Sequence, residues 1–229
     1  MASYWGMDKS GYPGDAAMQT IKQNSPLTFT GFYLGPTTSG NHPDTGWMTK
    51  YATLKNQGWS IVPLYLGYQN DHFTTAQGSA DADNAIDLAK NHASIPTNTR
   101  IYLDVEQGGT LSSAQISYIV GWLKRMISVG TYRAGVYAAY TTSQQIFDAM
   151  GSQANTPYVR YWSYYISSSA YQNSTTSGTS SLAAPSPAGS GFANASMWQL
   201  TQNTSRTYGT VTINPVDISS SIYSNIGEM

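Results

Sequence analysis

Acid is scarce in this chain: twelve Asp and Glu in 229 residues, of which only two are Glu. One, Glu228, lies in the last residues; the other, Glu106, closes the run RIYLDVEQ (100–107), two residues after Asp104. On an extended strand alternate side chains share a face. Tyr102, Asp104 and Glu106 therefore point one way, and Ile101, Leu103 and Val105 the other. Two further acids sit in similar places, Asp8 after the run YWGM and Asp217 within VTINPVDIS. Carboxylates gathered in one cleft are suited to breaking a glycosidic bond. One acid protonates the departing oxygen, and an anionic group stabilises the oxocarbenium-like carbon. Crowded carboxylates repel and burial disfavours their charge, so one of the set should keep its proton to higher pH. Glu106, with the longer side chain and at the strand tip, is the expected general acid. The competing account is a buried acid paired with Lys or Arg, yet only Lys9 and Arg100 adjoin these motifs.

Holding these acids together requires a frame, and a recurring phrase supplies one. GFYLG (31–35), PLYLG (63–67), RIYLD (100–104) and AGVYAAY (134–140) place Tyr33, Tyr65, Tyr102 and Tyr137 at intervals of 32, 37 and 35 residues. That interval is one strand, one helix and two loops. YWGMD (4–8) precedes the series, and YVRYWSYYIS (158–167), ASMWQLT (195–201) and VTINPVDIS (211–219) follow it, giving eight strands. Between them, SSAQISYIVGWLKRMISVG carries Ile116, Ile119, Val120, Leu123 and Ile127 on one helical stripe, with Ser112 or Ser113 as its cap. DTGWMTKYATLKNQG places Trp47, Tyr51 and Leu54 at helical spacing and ends at Gly58, and SADADNAIDLAKNHA reads as a helix with a solvated acidic start. PGDAAMQTIKQNSP and TSQQIFDAMGS are weaker helices, and 168–192 is a Ser/Thr/Gly/Pro-rich excursion. The expected architecture is one α/β domain over 1–229, a compact (β/α)₈ TIM-like barrel with degenerate late helices. In such a barrel catalytic groups gather at the C-terminal ends of the strands, where Asp8, Asp104, Glu106 and Asp217 would meet. Tyr33, Tyr65 and Tyr137, at strand ends, are candidate platforms for sugar rings.

Composition narrows the partner. Charged residues make up 10% of the chain against a usual ~25%, and the net charge is −1. Nothing therefore favours nucleic acid or an anionic membrane. Eighteen tyrosines among Ser, Thr, Asn and Gln suit a polysaccharide, whose faces stack on rings and whose hydroxyls bond amides. With no Cys there is no disulfide frame or thiol nucleophile. His42, His72 and His92 lack metal-ligand spacing, so no metal and no cofactor is expected. No apolar run reaches the ~18 residues of a membrane span. The start MASYWGMDKS lacks the basic start and apolar stretch of a signal peptide, so either the protein is not exported by that route or its leader has been removed. A monomer is expected.

GMDKS, YLDVE, GVYAAY, MWQL and VDIS together resemble the family 25 glycoside hydrolases, the Chalaropsis-type lysozymes. GMDKSGYPG, GFYLGP and VPLYLGYQ are more similar still to a neighbouring group, the glycoside-hydrolase-like domain of actinobacterial and other Gram-positive exported proteins. The likeness spans nearly the whole chain. It implies Asp8, Asp104 and Glu106 as active-site acids, with Glu106 as proton donor and Asp104 acting on the substrate's N-acetyl group or on a water. Asp217, Tyr137, Trp198 and Gln199 would line the sugar site. The substrate implied is an acetamido-sugar polymer, foremost the muramyl bond of peptidoglycan, met outside the cell or in its wall. The alternative is a barrel that binds wall glycan without cutting it. Lys9 departs from the lysozyme pattern, which has a small or apolar residue there. The family 18 chitinase pattern fails, because Tyr102 stands at its middle Asp.

Overall fold

The structure is a computed structural model that describes residues 3–42, 44–69, 73–166, 183–225 and 227. His72, Glu228 and residues 168–182 of the expected excursion lie outside the described residues. Eight strands close into a barrel in sequence order: β1 (Tyr4–Asp8), β2 (Leu27–Leu34), β3 (Ser60–Leu66), β4 (Arg100–Val105), β5 (Arg133–Ala139), β6 (Val159–Tyr164), β7 (Ala195–Tyr208) and β8 (Val211–Ser221). Five helices, α1 (Asp15–Gln23), α2 (Tyr51–Asn56), α3 (Thr75–Asp87), α4 (Ser113–Val129) and α5 (Tyr140–Met150), follow the first five strands in turn.

The last third departs from the (β/α)₈ expectation. Strands β1 to β7 run parallel, but β8 pairs antiparallel with both β7 and β1. Only residues 209 and 210 separate β7 from β8, and so short a link can join only antiparallel strands. The outer half of this hairpin carries Tyr208, Ile213 and Val216 into the same core as the helices. Its turn reaches α1: a Cβ on Gly209 would lie 2.9 Å from Asn24. The hairpin thus covers the flank that a helix covers elsewhere. Between β6 and β7 the described chain holds one short 3-10 turn, Pro187–Ser190.

Alternation sorts the strands into two layers. Phe29, Val62, Leu64, Tyr102, Trp162 and Met197 fill the barrel interior, while Ile101, Leu103, Val105 and Tyr65 face the helices. Helix α4 starts at a capping box between Ser112 and Gln115 and stops at Gly130 in the left-handed region. Its deeply buried stripe is Tyr118, Ile119, Trp122, Leu123 and Met126. Ile116, Val120 and Ile127 flank that stripe and are only partly buried. Helix α3 begins four residues before the acidic run and ends in a π turn, Leu88–His92. Asp81, expected in solvent, is 2% exposed and accepts hydrogen bonds from Tyr118 Oη (2.5 Å) and Thr38 Oγ1 (2.7 Å). Trp47 belongs to a turn ahead of α2, where its Nε1 donates to Ser10 O at 2.8 Å.

Helices α3 and α4 touch backbone to backbone at Gly78, where a Cβ would fall 2.1 Å from the Tyr118 carbonyl oxygen and 2.9 Å from Trp122 N. Gly78→Ala must push the helices apart. The helix-propensity gain of ~1 kcal/mol is smaller than the overpacking cost, and a net loss of about 2 kcal/mol is expected. Thermal melting should show it as a fall of about 4–8 °C.

Candidate active site

The mouth is built from strand ends. Asp8 is the last residue of β1 and pairs in register with Asp217 of β8. Asp217 lies in the middle of its strand, not at its end, and reaches the mouth because β8 runs downward. Gly31 of β2 makes room for Asp8, since a Cβ there would sit 2.7 Å from that of Asp8. Asp104, next to last in β4, faces the same interior, and Glu106 stands exposed one residue beyond the strand. Asp8, Lys9, Tyr33, Glu106, Asn203 and Asp217 are among the residues lining a cleft of about 280 Å³.

Burial and mutual repulsion set the protonation of this group. Asp8 and Asp104 are 5% and 4% exposed. Burial, then the charges of Asp217 and Asp104, pushes the Asp8 carboxyl well above the usual carboxylate range, against a smaller opposing effect from the Tyr33 hydroxyl. That hydroxyl donates to Asp8 Oδ1 at 3.3 Å. Burial first, then Glu106 and Asp217, pushes Asp104 up in the same way. Asp217 is raised to about 6: burial and Glu106 lift it, while Asn203, Gln199 and Lys9 hold it down. It accepts hydrogen bonds from Asn203 N (2.6 Å) and Gln199 Nε2 (3.0 Å). Asp8 Oδ2, Asp104 Oδ1 and Gln199 Oε1 are buried without a hydrogen-bond partner. Among the described residues no ion pair includes any of the four site acids. Lys9 instead donates to the carbonyls of Asn214 (3.3 Å) and Pro215 (3.0 Å).

Tyr33 lines the cleft, and Tyr137 packs against the barrel interior. Tyr33 and Tyr137 are half-buried and turn inward. Tyr137 packs on Tyr164 with centroids 5.4 Å apart. Burial, then the carboxylates, raises the pKa of both Tyr33 and Tyr137, keeping them neutral hydrogen-bond donors. Two expected sugar contacts are elsewhere. Tyr65 is 0% exposed in the helix-facing layer, with its hydroxyl on Thr38 (3.1 Å) and Asn84 (2.9 Å). Trp198 alternates with the inward Met197 and Gln199, so it points outward, donating Nε1 to Tyr165 O at 2.9 Å and packing under Gly189. Gln199 faces inward but lies beneath Asp217, 1% exposed, as a support.

Sequence reasoning missed Gln69 and Tyr164. The Gln69 amide donates Nε2 to Asp104 O (2.9 Å) and accepts Glu106 N at Oε1 (3.0 Å), clamping the backbone between the two acids. Tyr164 Oη donates to Glu106 O at 3.3 Å. Strand parity could have found Tyr164, two residues after the inward Trp162; no local signal marks Gln69.

The comparisons with known proteins agree with this architecture. An uncharacterised Bacillus stearothermophilus protein superposes with a TM-score of 0.69 at 19% identity, over 98% of this chain and 99% of that one. The Mycobacterium tuberculosis Tat-secreted protein Rv2525c gives 0.62 at 19% identity, over 99% and 98%. The catalytic domain of the endolysin ply40, from a Listeria monocytogenes bacteriophage, gives 0.61 at 14%, over 99% and 95%. At these identities the likeness establishes the fold alone. A search of the curated proteins gave no match. The sequence profile of the Rv2525c-like, glycoside hydrolase-like domain matches residues 19–220, and the chain belongs to that family.

Proposed function

We propose that the protein is a glycoside hydrolase acting on acetamido-sugar polymers, foremost the muramyl bond of peptidoglycan. The observation that carries this reading is the pair of buried carboxylates, Asp8 and Asp104, with the half-buried Asp217 and the exposed Glu106, none of them ion-paired among the described residues. Leaving such groups unpaired costs several kcal/mol, and cost of that kind concentrates at functional sites. Glu106 protonates the glycosidic oxygen, the C–O bond breaks with its electrons going to that oxygen, and a water adds to the sugar carbon, its released proton restoring the Glu106 carboxyl. Asp104 and Asp8 act as supporting groups, Asp104 orienting the acetamide or the water. Tyr33 and Tyr137 supply ring faces and donors, and Asp217 lines the site. The endolysin domain and a spore cortex lytic enzyme, SleM, among the fold's neighbours favour a wall glycan as substrate. The Tat-secreted relative favours a place outside the cell.

A second reading rests on the same burial. With Asp8 and Asp104 neutral, the cleft offers donors and ring faces but little anionic stabilisation, which suits a barrel that binds glycan without cutting it. Incubation with purified peptidoglycan separates the two. Soluble muropeptides are expected in the supernatant, whereas co-sedimentation without release would favour the binding module.

A further inference from the structure

The opposite end of the barrel carries a feature that the mouth does not use. Arg100, which opens β4, and Arg160 of β6 are 0% and 7% exposed. Arg100 is held by carbonyls, donating to Ala134 O, to Tyr158 O (3.3 Å) and to Pro157 O (3.4 Å). Arg160 is held differently. Its guanidinium lies over the Tyr223 ring, 4.1 Å from the centroid, and its Nε and Nη1 have no hydrogen-bond partner. Among the described residues no ion pair includes Arg100, Arg133 or Arg160. Arg160 lines a pocket of about 230 Å³, together with Asn155, Thr156, Tyr161, Asn194 and Ser196. Among the described residues Asp148 acts on Tyr161 of this pocket, but it is exposed on α5 and accepts Gln144 Nε2 at 2.8 Å.

We propose that this pocket is a binding site for one small oxyanion, a phosphate or carboxylate group received by Arg160. A buried cation is costly without a counter-ion, none is found for Arg160 among the described residues, and the planar guanidinium fork matches such an anion better than any other side chain does. Stacking on Tyr223 fixes the plane, and Asn194, Asn155 and Thr156 offer neutral polar groups at the rim. Crowding of cations agrees with the assignment. Burial first, then the charges of Arg160 and Arg133, pushes Arg100 down to about 10, while Tyr102 and Tyr223 act in its favour. The site is independent of the glycan reading, because it lies at the other end of the strands.

Calorimetric titration with inorganic phosphate, and separately with acetate, tests this at pH 7 against chloride of equal ionic strength. The wild type is expected to bind at least one of the two oxyanions in preference to chloride. Arg160→Gln should weaken that binding at least tenfold. Asn194→Asp, on the exposed rim, puts a carboxylate in the pocket without touching the core and should weaken it severalfold. Asp104→Asn, at the mouth, should leave it unchanged. Failure of the wild type to prefer either oxyanion would overturn the proposal. So would binding as tight as the wild type's in Arg160→Gln or in Asn194→Asp, or loss of binding in Asp104→Asn.

Discussion

Glu106→Gln is expected to lower the turnover of peptidoglycan about 10²–10⁴-fold, the usual worth of a positioned general acid. It should leave glycan co-sedimentation within about twofold and the melting temperature within about 1 °C. Glu106 is exposed beyond the end of β4, and its backbone, not its carboxyl, is gripped by Gln69 and Tyr164. Gln keeps the shape of the side chain and removes the proton it would deliver. Loss of turnover with binding retained is the signature of an interaction made in the transition state only. A fall in binding as large as the fall in turnover would instead make Glu106 a substrate contact.

Asp104→Asn is expected to stabilise the fold while impairing the reaction. Burial leaves Asp104 Oδ1 without a partner, and burial with the neighbouring acids holds its carboxyl well above the usual range. The folded state therefore binds that proton more tightly than the unfolded chain does. Its favourable contribution is complete below the unfolded pKa, near 3.8. It declines as pH rises from there and is gone above the folded value. Asparagine does not ionise, so the variant's advantage is absent near pH 3 and grows as pH rises. At pH 7 a gain of about 1–2 kcal/mol, or about 3–6 °C in Tm, is expected. Melting curves at pH 3.5 and 7 check both size and direction. A larger gain at acid pH than at neutral would contradict the account.

Much of this was legible in the sequence, because the strand phrases alternate. Acids on one parity and aliphatics on the other placed Asp104 inside the barrel and Ile101, Leu103 and Val105 outside, as found. Where a strand lacked a polar marker, parity had nothing to fix it. PLYLG reads equally well either way round, so nothing in it shows that Tyr65 faces the helices and not a sugar site. Trp198 failed similarly, although its neighbour Gln199 carries the inward polar group. The direction of β8 was hidden because alternation looks the same read in either direction. It would have emerged had NTSRTY (203–208) been taken as strand, leaving two residues for a turn. The burial of Asp81 depends on Tyr118, 37 residues away, and the clamp by Gln69 on a loop meeting β4 from β3. Neither has a local signature.

The most direct test treats one preparation of purified peptidoglycan with wild type and with Glu106→Gln across pH 4 to 7. New reducing ends are then converted to alditols and identified by mass spectrometry. The account predicts fragments ending in N-acetylmuramitol from the wild type and almost none from the variant. Equal release by both proteins, or no release by either while both still sediment with the glycan, would contradict it.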